Sequence, residues 1–82
     1  MIMVDVQVPA LDAVYDFTLS EEVQIGVLIE EITEMICQRE KMQMPEELEG
    51  LNLCDVNKGQ ILPNKSTLKE CGVVTGSRLI LV

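Results

Sequence analysis

The chain opens on an alternation. Ile2, Val4, Val6 and Val8 are apolar and are separated by Met3, Asp5 and Gln7. Successive side chains of an extended backbone point to opposite faces, so a period of two predicts a strand with one face on a core. Residues 9–12, Pro-Ala-Leu-Asp, interrupt the pattern. It resumes as Tyr15, Phe17 and Leu19 set among Val14, Asp16 and Thr18, which closes a hairpin with the first strand.

From Ser20 the spacing turns helical. Ser20 is a suitable N-cap, and Glu21 and Glu22 suit the positive end of a helix dipole. Ile25, Leu28, Ile29, Ile32 and Ile36 then form one apolar stripe, with Glu30, Glu31, Glu34 and Gln38 turned to water. Gly26 lies inside this helix at a cost of about 1 kcal/mol against alanine, which predicts a close approach to the sheet. The helix should end near residues 39–41, where cations suit its negative end. Pro45 blocks any continuation, and Met42 and Met44 fall in the connecting loop.

The remaining segments are shorter. Leu51 and Leu53 alternate with Asn52 and Cys54 as a third strand, Asn57, Lys58 and Gly59 make a turn, and Ile61 with Leu62 form a stub of a fourth. After another turn at residues 63–65, Thr67, Leu68, Cys71 and Gly72 predict a single helical turn stopped by glycine. Residues 78–82 make the last strand. The order is ββαββ with a short helix before the last strand. One main helix across one face of a mixed sheet is the α+β architecture called β-grasp, and at this length its ubiquitin-like version. The 82 residues are expected to form one domain, residues 1–82, with no linker or internal repeat.

Composition narrows the chemistry. There is no histidine, so neither a Ser/His/Asp nor a Cys/His nucleophile system can be assembled, nor a histidine-ligated metal site. Cys37, Cys54 and Cys71 form no C-x-x-C pair, and their odd number without a secretion signal predicts free structural thiols. No cofactor is implied and no enzyme activity is expected. Fourteen acids against six bases, a net charge of −8, disfavour a nucleic-acid partner. No apolar run approaches the roughly 18 residues of a membrane span. The expectation is a cytoplasmic protein that does not insert into the membrane.

The stretch Leu68-Lys69-Glu70-Cys71-Gly72-Val73, followed by Gly76-Ser77-Arg78-Leu79-Ile80-Leu81, resembles the closing pattern of ubiquitin-like folds, in which Leu68 would plug the core. Residues 14–20, Val-Tyr-Asp-Phe-Thr-Leu-Ser, with Asn57, Lys58 and the Cys71–Gly72 pair, look like the YukD/EsaB family, small ubiquitin-like proteins of type VII secretion in Gram-positive bacteria. The resemblance implies a non-catalytic adaptor or accessory subunit that docks onto a cytosolic part of the secretion membrane machinery, held at the inner face of the membrane through that protein partner. The alternative is a modifier or sulfur carrier activated at its C-terminus. That reading is disfavoured because no Gly-Gly pair follows the last strand up to Val82.

If the alternation holds, the sheet face away from the helix carries Met3, Asp5, Gln7, Asn52, Cys54, Arg78, Ile80 and Val82. Met3, Cys54, Ile80 and Val82 would supply an exposed apolar patch beside Arg78, the usual docking surface of ubiquitin-like proteins. Scattered surface apolar residues are also ordinary. A free edge strand offers a route to a homodimer. Residues 21–49 hold nine acids against two bases, which serves solubility or steers a basic partner.

Overall fold

The computed structural model describes residues 1–45 and 50–82. The two alternating runs become β1 (Ile2–Val8) and β2 (Ala13–Leu19), joined by a 3-10 turn at Pro9–Leu11. Asp12 closes that turn in the left-handed region, its amide donating to the Pro9 carbonyl at 3.1 Å. The strands pair antiparallel along their whole length, from Ile2 opposite Leu19 to Val8 opposite Ala13. Ile2, Val4, Val6 and Val8 are buried on the same side as Tyr15, Phe17 and Leu19.

Helix α1 (Ile25–Arg39) buries the predicted stripe of Ile25, Leu28, Ile29, Ile32 and Ile36. Its start departs from expectation. It begins at Ile25 rather than after Ser20, and no side chain caps it. The Ser20 hydroxyl instead accepts from the Glu22 amide at 3.4 Å, within the preceding turn. The first helical amides are met by backbone from far along the chain. Ile25 donates to the Ser66 carbonyl at 2.8 Å and Gly26 to the Asn64 carbonyl at 2.9 Å, which satisfies two of the orphan donors that a cap would otherwise serve. Gly26 does mark a close approach, but to this loop and not to the sheet. A Cβ there would stand 3.3 Å from the Asn64 carbonyl oxygen. At the other end Lys41 adopts a positive φ and Met42 donates to the Cys37 carbonyl at 2.8 Å, so the chain turns away.

The last three strands are short: β3 (Leu53–Asp55), β4 (Gln60–Leu62) and β5 (Arg78–Leu81). The third strand therefore starts two residues later than Leu51. Asn52 and Val82 still exchange backbone hydrogen bonds at 2.6 and 2.9 Å beyond the ends of β3 and β5. The expected short helix is a single hydrogen-bonded turn. Thr67 and Glu70 exchange side-chain bonds with each other's amides at 2.9 and 3.1 Å, a capping box. Gly72, at φ 74°, ends it before a second turn forms. Leu68 beside it is fully buried, as its core-plugging role requires.

The sheet order is β2-β1-β5-β3-β4, with β1 and β5 parallel in the centre and the other neighbours antiparallel. The core lies between one face of this mixed sheet and α1. This is the β-grasp arrangement. Among the described residues three polar side chains are buried, Thr33, Asp55 and Ser77. Asp55, at the end of β3, is 2% exposed, and its carboxylate accepts from the amides of Asn57 at 2.9 Å and Lys58 at 3.3 Å. Lys58 in turn donates through Nζ to the Cys71 carbonyl at 2.8 Å, tying the β3–β4 hairpin to the turn around Leu68. Of the acidic run, Glu46, Glu47 and Glu49 lie outside the described residues.

Candidate functional site

Two of the three thiols are poorly placed for nucleophilic chemistry. Cys37 is buried and directs Sγ at the Gln43 carbonyl, 3.6 Å away. Burial pushes the Cys71 thiol up, Glu70 adds to the shift, and Lys58 only partly opposes it, so the reactive thiolate is disfavoured. Among the described residues no group of His, Cys, Asp and Glu has the makings of a metal site. An apolar groove of about 390 Å³ lies between the Pro9–Leu11 turn, α1 and the end of β5, lined by residues such as Leu11, Ile36, Met42 and Leu51. Its one hydroxyl, on Thr33, is already donated to the Ile29 carbonyl at 2.7 Å. Nothing there converges on a substrate atom.

The sheet face away from α1 is organised by register. Cys54 stands opposite both Ile61 and Ile80, Ile80 is beside Gln7, and Gln7 is opposite Val14. One row, Val14–Gln7–Ile80–Cys54–Ile61, thus crosses all five strands, which at the usual strand spacing is about 19 Å. Gln7, Ile80 and Cys54 are half-buried in its middle, while Ile61 is 66% exposed at its end. Val82 follows Ile80 on the same face and is 51% exposed.

A second row runs alongside: Asp16 opposite Asp5, and Asp5 beside Arg78. The Arg78 guanidinium lies 3.9 Å from Asp5 Oδ2 with both side chains largely in water, a contact worth little by itself. Two carboxylates facing each other across a ladder are unfavourable. Hydrogen bonding to the Asp5 carboxyl, then its charge, pushes the Asp16 carboxyl up, while Arg39 pulls the other way.

Of the expected contact residues, register brings Cys54, Ile80 and Val82 together, with Arg78 at their edge. Met3 is separate. It lies opposite Thr18, with the Asp5–Arg78 row between it and Ile80. The sequence reading overlooked Ile61 and Val14. Ile61 was findable, because neighbouring Ile61 and Leu62 in a strand cannot both face the core, and Leu62 is the buried one.

No helix of the described residues is long and apolar enough to cross a membrane. Similar solved structures are ubiquitin-like. The ubiquitin-like domain of EccD5 from Mycobacterium xenopi superposes with a TM-score of 0.75 at 23% identity, over 99% of this chain and 91% of that one. The N-terminal ubiquitin-like domain in the 4931431F19Rik protein gives 0.75 at 22% identity, over 99% and 72% of the two chains. Caldiarchaeum subterraneum ubiquitin gives 0.67 at 17% identity, over 98% and 89%. At these identities the likeness establishes the fold alone. No curated protein matches the sequence. The model of a family described as "WXG100 protein secretion system (Wss), protein YukD" matches residues 3–81. With all but the first two residues and the last one covered, the chain belongs to the YukD family, the ubiquitin-like proteins associated with type VII secretion.

Proposed function

We propose that this protein is a non-catalytic adaptor or accessory subunit of type VII secretion, which docks in the cytoplasm onto a cytosolic part of the membrane machinery. Family membership supports the setting. The observation that supports the docking mode is the row Ile80–Cys54–Ile61, three apolar side chains set side by side by strand register on the sheet face away from α1, half-buried at Ile80 and Cys54 and 66% exposed at Ile61. Ile80, Cys54 and Val82 form the contact with Ile61, Arg78 and Asp5 lie on its polar rim, and Met3 makes a separate outlying contact. An apolar centre with a polar margin is the usual anatomy of a protein-binding patch.

Ile80→Asp tests this. An aspartate at position 80 is hydrated in the free protein but becomes a buried, unpaired charge in an apolar contact. The variant is expected to keep its circular dichroism spectrum and melting cooperativity while losing co-purification of the secretion component that the parent retains, identified by mass spectrometry. A folded variant that retains that component at parental yield removes the open face as the docking surface.

A further inference from the structure

A second surface of different chemistry lies at the outer edge of β2. The sheet has two edges. β4 offers three residues, whereas β2 offers seven, Ala13–Leu19, with no proline or lysine to discourage pairing. The direction of its bonding groups follows from its neighbour. The Asp5 amide donates to the Ser77 carbonyl and the Met3 carbonyl accepts from the Gly76 amide, so odd residues of β1 bond towards β5 and even ones towards β2. Their partners Ala13, Tyr15, Phe17 and Leu19 therefore turn amides and carbonyls inward. Val14, Asp16 and Thr18 turn theirs outward. Beside this edge a groove of about 540 Å³ runs between β2 and α1, lined by Asp16, Phe17, Thr18, Met35, Gln38 and Arg39. Met35 is 40% exposed within it.

We infer that the β2 edge takes an extended segment of a partner protein by strand addition, with a lysine or arginine opposite Asp16 and apolar residues on either side of that cation seated over Met35. Charge complementarity selects this occupant. The row across the open face reads Arg78, Asp5, Asp16, so two acids stand together at the end that the incoming strand would extend. Arg39, in the lining of the same groove, is a cation already near Asp16. A cation on the added strand, directly opposite Asp16, adds a counter-charge on the open face, where among the described residues Asp5 and Asp16 share only Arg78. The flanking residues of the added strand point to the helix side, where the groove is apolar at Met35 and Phe17. A second copy fits worse. Antiparallel β2–β2 pairing that uses the whole strand is centred on Asp16 and sets it against its own counterpart, with Asp5 behind each. The chain's net charge of −8 adds to the same selection.

The test uses the isotope-labelled protein and two synthetic peptides, acetyl-Thr-Val-Arg-Val-Thr-amide and its counterpart with Glu in place of Arg. At millimolar concentration the arginine peptide is expected to shift the amide resonances of Val14, Asp16, Thr18 and Met35. It should bind about fivefold more tightly than the glutamate peptide, the scale of a cross-strand charge pair. Asp16→Lys should invert that preference. Ile80→Asp should leave it unchanged, which separates this edge from docking through the open face. Binding of neither peptide, equal binding of both, shifts centred on Cys54 and Ile80, or a sedimenting dimer that already occupies the edge would each overturn the inference.

Discussion

The N-terminal hairpin and the C-terminal half of the sheet are built by different means. β1 and β2 are seven residues each, pair without a break, and bury every second side chain. β3, β4 and β5 are three, three and four residues long and lean on side-chain bonds to backbone: Asp55 to Asn57 and Lys58, Lys58 to Cys71, Thr67 with Glu70, and Ser77 to Val74. Long strands distribute their stability over many small burial terms, while short ones depend on a few turn contacts that each hold a segment in place. Single substitutions should therefore act more locally in the second region than in the first.

The largest effect is expected where the C-terminal half enters the common core. Leu68 is fully buried in the turn after β4, and Leu68→Ala should destabilise the protein by about 2–5 kcal/mol. Domains of this size have few kcal/mol to spare, so chemical denaturation should show a large drop in midpoint. A midpoint close to the parent's would mean that the turn is not coupled to the core.

Asp55→Ala comes next. It removes the acceptor of two amides on the buried side of the sheet and should cost about 1–3 kcal/mol, with Asp55→Asn milder because an amide oxygen can still accept. Native-state hydrogen exchange sharpens the comparison. Amides of β3 and β4 should exchange faster in Asp55→Ala while those of β1 and β2 keep their protection relative to global unfolding. Uniform acceleration across the sheet would show that the two regions open as one unit.

The same contrast explains what could be read in advance. The hairpin was legible because seven residues display a period of two, and the stripe of α1 was legible because five apolar positions repeat at helical spacing. The start of α1 was not. Ser20 carries the local signal of a cap, but the carbonyls of Asn64 and Ser66 reach the first amides only after the chain has folded back, and no local signal near Ser20 records that. β3 and β4 are too short for periodicity to settle which residue faces the core. Asp55 hides in an apolar position of the alternation Leu51, Leu53, although Asn57-Lys58-Gly59 after it is the signature of a turn that an aspartate carboxylate would cap. The open face was legible in its residue types and only partly in its grouping. Cys54 and Ile80 meet through strand register, as does Ile61, while Met3 is set apart by the charged row.

The smallest expected effect lies in the N-terminal hairpin, and its sign is opposite. Asp16 faces Asp5 in an otherwise well-matched ladder, and its carboxyl is pushed above the ordinary aspartate value by that neighbour. A carboxyl in this position binds its proton more tightly in the folded protein than in the unfolded chain. Ionisation therefore penalises the folded state in full above the raised folded value, progressively less as pH falls from there towards the ordinary value, and not at all below it. Asp16→Asn removes the penalty and should raise the melting temperature slightly at neutral pH. The gain should shrink through that window and vanish in stronger acid. Asp5→Asn relieves the same repulsion but also gives up the contact with Arg78, so its gain should be smaller. A lower melting temperature for Asp16→Asn at neutral pH, or a gain that persists in acid, would mean that the pair of carboxylates is held in a way that stabilises the hairpin, and the second, acidic row of the open face would then belong to the fold rather than to recognition.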